Sequence, residues 1–477
     1  MFDYKINKNI DKKLYLQVYE SIKKDILTRK IVANTKLPPI RKIASDLKLN
    51  PSTIVKAYNL LEEEKLVYKK LGSGSYVAYL DDEMNDSEDY NDLKINERLN
   101  SGQINIENNI NFASATPSAN LFPVEDFKSV LIKVLDRDGG DAFTYQQTQG
   151  YYSLRKCISE KLKEDCITTN PEKIQIVSGA QQAIDLISRI LLNEKDTVVV
   201  EEPTYSGAIA SFNNRNTNIK SFPIQKDGID LSEFEKFLNK NNIKLFYTMP
   251  TFQNPTGILW SEEKKQKLLE LSYKYDFYIL EDDCLSELYY DKIKLKSLKS
   301  MDKNGKVIYI KSYSKIFMPG LRLGFIILPE DLFNPFVSFK YSSDISSPGL
   351  NQRAFEMYLK EGYWDKHIEK MRVLYKKRFE KMYNKIKEIK EFEIFEVPMG
   401  GLYFWIKIND NFENLFLKAS KRGVSILPGK VFSPEGNIKN FYRLSFADAD
   451  EQKIEKGMNI IKSIIQDDKN LDLYPIL

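Results

Sequence analysis

Ser312-Tyr313-Ser314-Lys315-Ile316-Phe317-Met318-Pro319-Gly320-Leu321-Arg322-Leu323-Gly324 sets one lysine between a pair of serines and a glycine–arginine pair. A lysine amine can condense with an aldehyde to a Schiff base, and hydroxyls beside a guanidinium suit a phosphate. The apolar run Val307 to Ile310 just upstream reads as a strand, so the lysine falls in the loop after it. Three other segments repeat this strand-then-polar-loop pattern. Ile174 to Val177 leads into Ser178-Gly179-Ala180-Gln181-Gln182-Ala183. A helix starting at those small residues offers free N–H groups and the positive end of its dipole to a phosphate. Thr197 to Val200 leads into Glu202-Pro203-Thr204-Tyr205, which sets an aromatic ring at a strand end, able to stack on a planar ring. Phe277-Tyr278-Ile279-Leu280-Glu281-Asp282-Asp283 is an apolar strand ending in carboxylates, as in the ligand crevice of an open α/β sheet. These strands, with Leu245 to Thr248, alternate with helical patterns, which predicts a mostly parallel sheet covered on both faces.

With Asn254-Pro255-Thr256-Gly257 and Tyr442-Arg443-Leu444-Ser445-Phe446, the segments stand in the order and spacing of the fold-type I aminotransferases, which this chain resembles. The resemblance implies pyridoxal 5'-phosphate (PLP) as cofactor, with Lys315 as its covalent anchor and catalytic group. It implies a cofactor-binding set of Ala180, Gln181, Tyr205, Asn254, Asp282, Ser312, Lys315 and Arg322. Asp282 matches the partner of the protonated pyridine nitrogen, which keeps the cofactor an electron sink. Asn254 matches the residue bonded to its phenolic oxygen. Arg443 matches the grip on a substrate or effector α-carboxylate, a task suited to a planar guanidinium. Tyr145, in Phe143-Thr144-Tyr145-Gln146, matches the tyrosine that reaches the partner subunit's cofactor phosphate, so a homodimer is expected. One position departs from the pattern of the regulators named below. Two residues after Asp282, where they usually carry a tyrosine, stands Cys284. A thiol is a weaker donor than a phenol, which leaves retention of transamination open.

The first eighty residues follow other rules. Ile40, Ile43, Ala44 and Leu47, then Ile54, Ala57, Tyr58 and Leu61, recur at helical spacing around a short turn. Asn50 suits an N-cap and Pro51 the first helical position. Leu16, Val18, Tyr19, Ile22, Ile26 and Leu27 predict a preceding helix. Leu66 to Lys70 and Ser75 to Tyr79, joined by Leu71-Gly72-Ser73-Gly74, read as a β-hairpin. Three helices and a hairpin make a winged helix-turn-helix that closely resembles the GntR superfamily DNA-binding domain. That resemblance implies operator DNA as partner, met by Arg41, Ser52, Thr53 and Lys56, with Lys70, Gly72 and Ser73 in the wing.

Charge agrees. Residues 1–80 hold sixteen Lys and Arg against eight Asp and Glu, net +8, whereas residues 81–100 hold two against eight, net −6. The chain's overall +4 thus hides a basic head, able to neutralise DNA phosphates, and an acidic, apolar-poor tether. The expected division is 1–80 winged helix, 81–110 linker and 111–477 aminotransferase-like, with a smaller α+β subdomain over about 341–477. The overall fold class is α/β.

A single histidine, His367, argues against Ser-His-Asp hydrolysis and histidine-based metal sites, so no metal is expected. Cys157, Cys166 and Cys284 lack Cys-x-x-Cys spacing and suggest a reducing cytosol. The start Met1-Phe2-Asp3-Tyr4-Lys5 does not read as a signal peptide, no apolar run approaches membrane-spanning length, and a cytoplasmic protein is expected.

A GntR-type winged helix tethered to an aminotransferase-like body resembles the MocR-type transcription regulators over nearly the whole chain. Two readings follow from this sequence. In one, the body senses PLP itself, or an amine or amino acid, through the Lys315 Schiff base. In the other, it is a working aminotransferase with a secondary DNA-binding domain.

Overall fold

The computed structural model describes residues 12–27, 31, 35–64, 66–70, 74–77, 110–291, 293–408, 412 and 414–472. Contacts divide the chain into two units, Met1–Glu97 and Arg98–Leu477.

In the first unit, helices α1 (Leu14–Leu27), α2 (Ile40–Asp46) and α3 (Pro51–Glu63) bury one apolar core of Val18, Ile22, Ile26, Ile43, Ala44, Ile54, Ala57, Tyr58 and Leu61. The Asn50 side chain accepts the Ser52 N–H at 2.9 Å, and Pro51 has no N–H to leave orphaned, so α3 starts where the sequence predicts. β1 (Val67–Lys70) pairs antiparallel with β2 (Gly74–Val77), with Val67 opposite Val77 and Lys70 opposite Gly74. The second strand begins one residue earlier than expected. Gly72 and Ser73, together with tether residues 81–109, lie outside the described residues. Ile110, the last tether residue expected from the sequence, pairs with Val424 in a short parallel ladder of the second unit.

The second unit is built on an eight-stranded sheet. Its strands, in chain order after β3 (Ile110–Asn111), are β4 (Ile174–Val177), β5 (Thr197–Glu202), β6 (Asn218–Gln225), β7 (Gly228–Ile229), β8 (Leu245–Thr248), β9 (Tyr278–Asp283), β10 (Val307–Ser312) and β11 (Gly324–Ile327). Their spatial order is β4-β11-β10-β9-β8-β5-β6-β7, parallel except for the pairings of β11 and β7. Every residue of β4, β8, β10 and β11 is buried, as a sheet covered on both faces requires. Two apolar cores follow from strand alternation. Val198, Val200, Leu245, Tyr247, Leu280, Ile308 and Ile310 belong to one, and Val199, Phe246, Ile279 and Val307 to the other.

C-terminal to it, β12 (Phe392–Ile394), β13 (Tyr403–Ile408), β15 (Leu427–Pro428) and β16 (Phe441–Ser445) form an antiparallel sheet in the order β12-β13-β16-β15. Between β13 and β15, β14 (Val424–Ser425) pairs with β3. The long helices Tyr363–Lys387 and Glu451–Asp472 pack on each other. The fold class is that expected from the sequence: a winged helix and a fold-type I body.

Candidate cofactor site and nucleic-acid interface

Asp282, the last residue but one of β9, shares the face of Leu280 and Tyr247 and is 2 % exposed. Its Oδ2 accepts the Tyr247 hydroxyl at 2.8 Å, while Oδ1 is buried with no partner among the described residues. Burial pushes this carboxyl up to about 6, against the Tyr247 hydrogen bond. An orphaned buried acceptor needs a donor, and a protonated ring nitrogen supplies one. Lys315 follows β10 and makes no hydrogen bond or ion pair with described residues. Desolvation is the main cause holding its amine below the usual lysine range, and Cys284 and Asp282 oppose the shift. A lowered amine pKa enlarges the neutral, nucleophilic fraction at neutral pH.

The turn from β4 into the helix Ala180–Leu191 is built for close approach. Gly179 has φ +86°, and a Cβ there would come within 3.0 Å of the Arg322 guanidinium. Arg322 donates to the Ser178 carbonyl oxygen, bringing the two ends of the motif pair together. Among the described residues the Ser312 hydroxyl accepts only a long 3.4 Å bond from the Ser314 N–H, and the Ser314 hydroxyl is buried without a partner. Gln181 turns its side chain to the helix Ser206–Asn213. Its side chain donates to the Gly207 carbonyl and the Ser211 hydroxyl, both at 2.9 Å, and accepts from the Tyr205 hydroxyl at 3.2 Å. It therefore fixes Tyr205, leaving only its backbone N–H for an anion. The sequence reading missed a chain of bonds behind this turn. The Ser178 N–H donates to Gln182, Gln182 to Asp344, and buried Lys340 to Asp344.

Asn254 and Arg443 lie together. The Arg443 Nη1 donates to the Asn254 Oδ1 at 2.8 Å, its Nη2 donates to the Ala113 carbonyl oxygen, and its Nε is buried without a partner among the described residues. The guanidinium is packed between the rings of Tyr403 and Phe432, at 4.8 and 5.1 Å. Burial lowers its affinity for a proton. The Tyr403 hydroxyl is also buried and unpartnered, a second group the sequence reading missed. One carboxylate ties the flanking loops. Glu201 accepts from Thr248 at 2.6 Å, Trp260 at 2.8 Å and Gln253 at 3.1 Å, and Gln253 also donates to the Pro203 carbonyl at 2.7 Å. The loops carrying Tyr205 and Asn254 are thereby held to each other. Cys284 is buried, and burial drives its thiol well above the usual range, so it stays protonated. Tyr145 is 83 % exposed and Phe143 69 % exposed.

On the first unit, Arg41, Ser52 and Lys56 are exposed and Thr53 is half-buried, on the side of α2 and α3 away from the core. Ser52 also donates to the capping Asn50 at 2.9 Å, and Lys56 lies 5.9 Å from the Tyr15 ring. Lys70 ends β1, paired with Gly74; its side chain lies outside the described residues.

These features define a PLP-dependent fold carrying a DNA-binding head. Comparison with known proteins agrees. The family "Aminotransferase class I and II" matches residues 108–461, and "Bacterial regulatory proteins, gntR family" matches residues 14–77. The chain is 31 % identical to the HTH-type transcriptional regulator YdfD of Bacillus subtilis, over 93 % of this chain and 94 % of that protein. It is 32 % identical to aromatic-amino-acid aminotransferase 1 of Thermococcus litoralis, over 75 % of this chain and 88 % of that protein. Among solved structures it is similar to Pyrococcus horikoshii kynurenine aminotransferase in complex with PMP, with a TM-score of 0.73 and 32 % identity, over 79 % of this chain and 94 % of that one. The chain belongs to the aminotransferase class I and II family and, with its gntR head, is a PLP-binding transcription regulator of the MocR type.

Proposed function

We propose that the body senses an amino compound and that the head converts the event into altered operator binding. The partition is 1–80 head, 81–110 tether and 111–477 sensor, with a smaller C-terminal subdomain over about 341–477. Lys315 is the covalent anchor, and the Asp282 Oδ1, without a donor among the described residues, would accept the N–H of the protonated ring nitrogen. Ser312, Ser314, Arg322 and the N–H groups at Gly179 to Gln181 hold the phosphate. Tyr205 packs against the ring, and the Asn254 amide donates to its phenolic oxygen. Bound PLP supplies an aldehyde that exchanges one amine for another and a ring that withdraws electrons. Around it, Asp282 would keep the ring nitrogen protonated, and Tyr247 orients Asp282.

The observation that carries the reading is the double engagement of Arg443. Its fork is taken by Asn254 and by the carbonyl of Ala113, in the segment that follows the tether. An effector carboxylate competes with Ala113 for that fork, and bidentate carboxylate binding outweighs a single carbonyl bond. Release of Ala113 loosens the start of the body, next to the Ile110–Asn111 strand. A ligand shifts DNA affinity only by its difference in affinity between the held and released states, so the carboxylate is the lever. Exposed Tyr145 and Phe143 support a homodimer in which Tyr145 reaches the partner's phosphate, and two heads then span two half-sites. The setting is cytoplasmic; among the described residues no helix is long and apolar enough to cross a membrane.

The retained anchor and orphaned carboxylate keep a second reading, amino-acid transamination, in play. Operator affinity, measured with and without candidate amino acids, together with release of an oxo acid, separates the two. A change in affinity without turnover supports the sensor; turnover without a change in affinity supports the enzyme.

A further inference from the structure

A second cavity, of about 400 Å³, lies against the face of β9 and β10 opposite Asp282 and Ser312. The residues next to those two, Asp283 and Lys311, are paired across the strands and point the other way. Lys311 forms the cavity floor. Its Nζ donates to Ser286 at 2.6 Å and Glu287 at 2.7 Å and lies 3.2 Å from the Asp283 carboxylate, which also accepts the Tyr309 hydroxyl at 2.7 Å. The lysine's three donors are thereby occupied, so the floor itself has no free hydrogen-bonding capacity for a ligand.

The walls differ. Asp165, just beyond the helix Tyr152–Lys161, is exposed and has no hydrogen bond to its carboxylate and no ion pair among the described residues. Arg372, on the helix Tyr363–Lys387, donates its Nε to the Glu287 carbonyl at 2.6 Å and stacks at 3.9 Å on the Tyr289 ring. Its two terminal nitrogens have no partner among the described residues. Stacking and the Nε bond fix the plane of the fork and leave its outer edge free, which is the preorganised form of a carboxylate receptor. An unpaired carboxylate and an unpaired fork lining one cavity complement a molecule carrying both charges. Neither residue has a part in the cofactor site.

We propose that this cavity is a second, non-covalent binding site for a small zwitterion, with Arg372 taking its carboxylate and Asp165 its ammonium group. The site stands apart from the Lys315 reading. Its floor, Lys311 and Asp283, lies one residue from Ser312 and Asp282 along β10 and β9.

The test is calorimetric titration of the full PLP-loaded chain with glycine betaine, whose quaternary nitrogen cannot condense with an aldehyde. One saturable site per chain is expected, weakened about tenfold or more by Asp165→Asn and by Arg372→Gln. Binding is unchanged in Lys315→Ala and Arg443→Gln. Asp165 is at the exposed rim, so its variant keeps the fold. The proposal is overturned if the wild type shows no saturable binding, or if binding survives both rim variants.

Discussion

Arg41, Ser52 and Lys56 of the head are exposed, whereas Asp282, Asn254 and Arg443 of the body are 2 %, 4 % and 5 % exposed. The two regions thus hold their functional groups on opposite terms. In the head, the helices pack through one apolar face and leave polar side chains solvated, so each contributes to DNA binding nearly independently. In the body, polar groups are desolvated at a cost that only a bound partner offsets, as with Asp282 Oδ1, Arg443 Nε and the Tyr403 hydroxyl. Substitutions in the head should therefore change binding by degrees, and those in the body should act nearly all-or-none and also change stability.

The largest effect falls on Lys315. Lys315→Ala should abolish covalent retention of PLP: borohydride treatment, which fixes the cofactor to one peptide in the wild type, should label none in the variant. Label on another lysine would break the assignment.

Asp282 gives the next largest effect. Its folded carboxyl titrates near 6, above the ordinary 3.8, so its protonated form is favoured by folding. The stability it contributes to the PLP-free protein is present below pH 4 and lost as pH rises through about 6, on the order of 3 kcal/mol. Asp282→Asn should accordingly flatten the acid side of the thermal-unfolding profile and make the PLP-free protein more stable than wild type at pH 7. It should also weaken cofactor binding. An unaltered pH profile would show that the carboxyl is not held protonated by burial.

What the sequence disclosed follows the same division. The Asn50 cap, the helical spacing and the hairpin of the head are local, and each is recovered within a residue or so. Lys315, Asp282 and Tyr205 were legible because their chemistry is written in contiguous motifs at strand ends. Tyr247 was not: its bond to Asp282 depends on β8 lying beside β9 in a given register. The bond of Arg443 to Ala113 joins residues 330 apart, and no local pattern announces it. The helix position of Gln181 was visible in the sequence, whereas its side-chain direction, toward Ser211, is set by the neighbouring helix.

Smaller effects sharpen the head's side of the comparison. Arg41→Ala should weaken operator binding by roughly 1–3 kcal/mol if it reads a base edge, with little change in salt slope. Lys56→Ala should weaken binding across sequences and reduce the salt slope by about 1. Asn50→Ala should cost the head about 1 kcal/mol of stability through loss of its cap, read as a shift in denaturant midpoint at constant slope.

The central claim is that the buried site governs the exposed one through Arg443 and Lys315. It is tested most directly by operator affinity, measured by fluorescence anisotropy with and without an amino acid that alters wild-type binding. The same amino acid should leave Lys315→Ala and Arg443→Ala unaffected; if PLP alone is the effector, Arg443→Ala should respond as wild type while Lys315→Ala does not. An unchanged response in both variants would contradict the account.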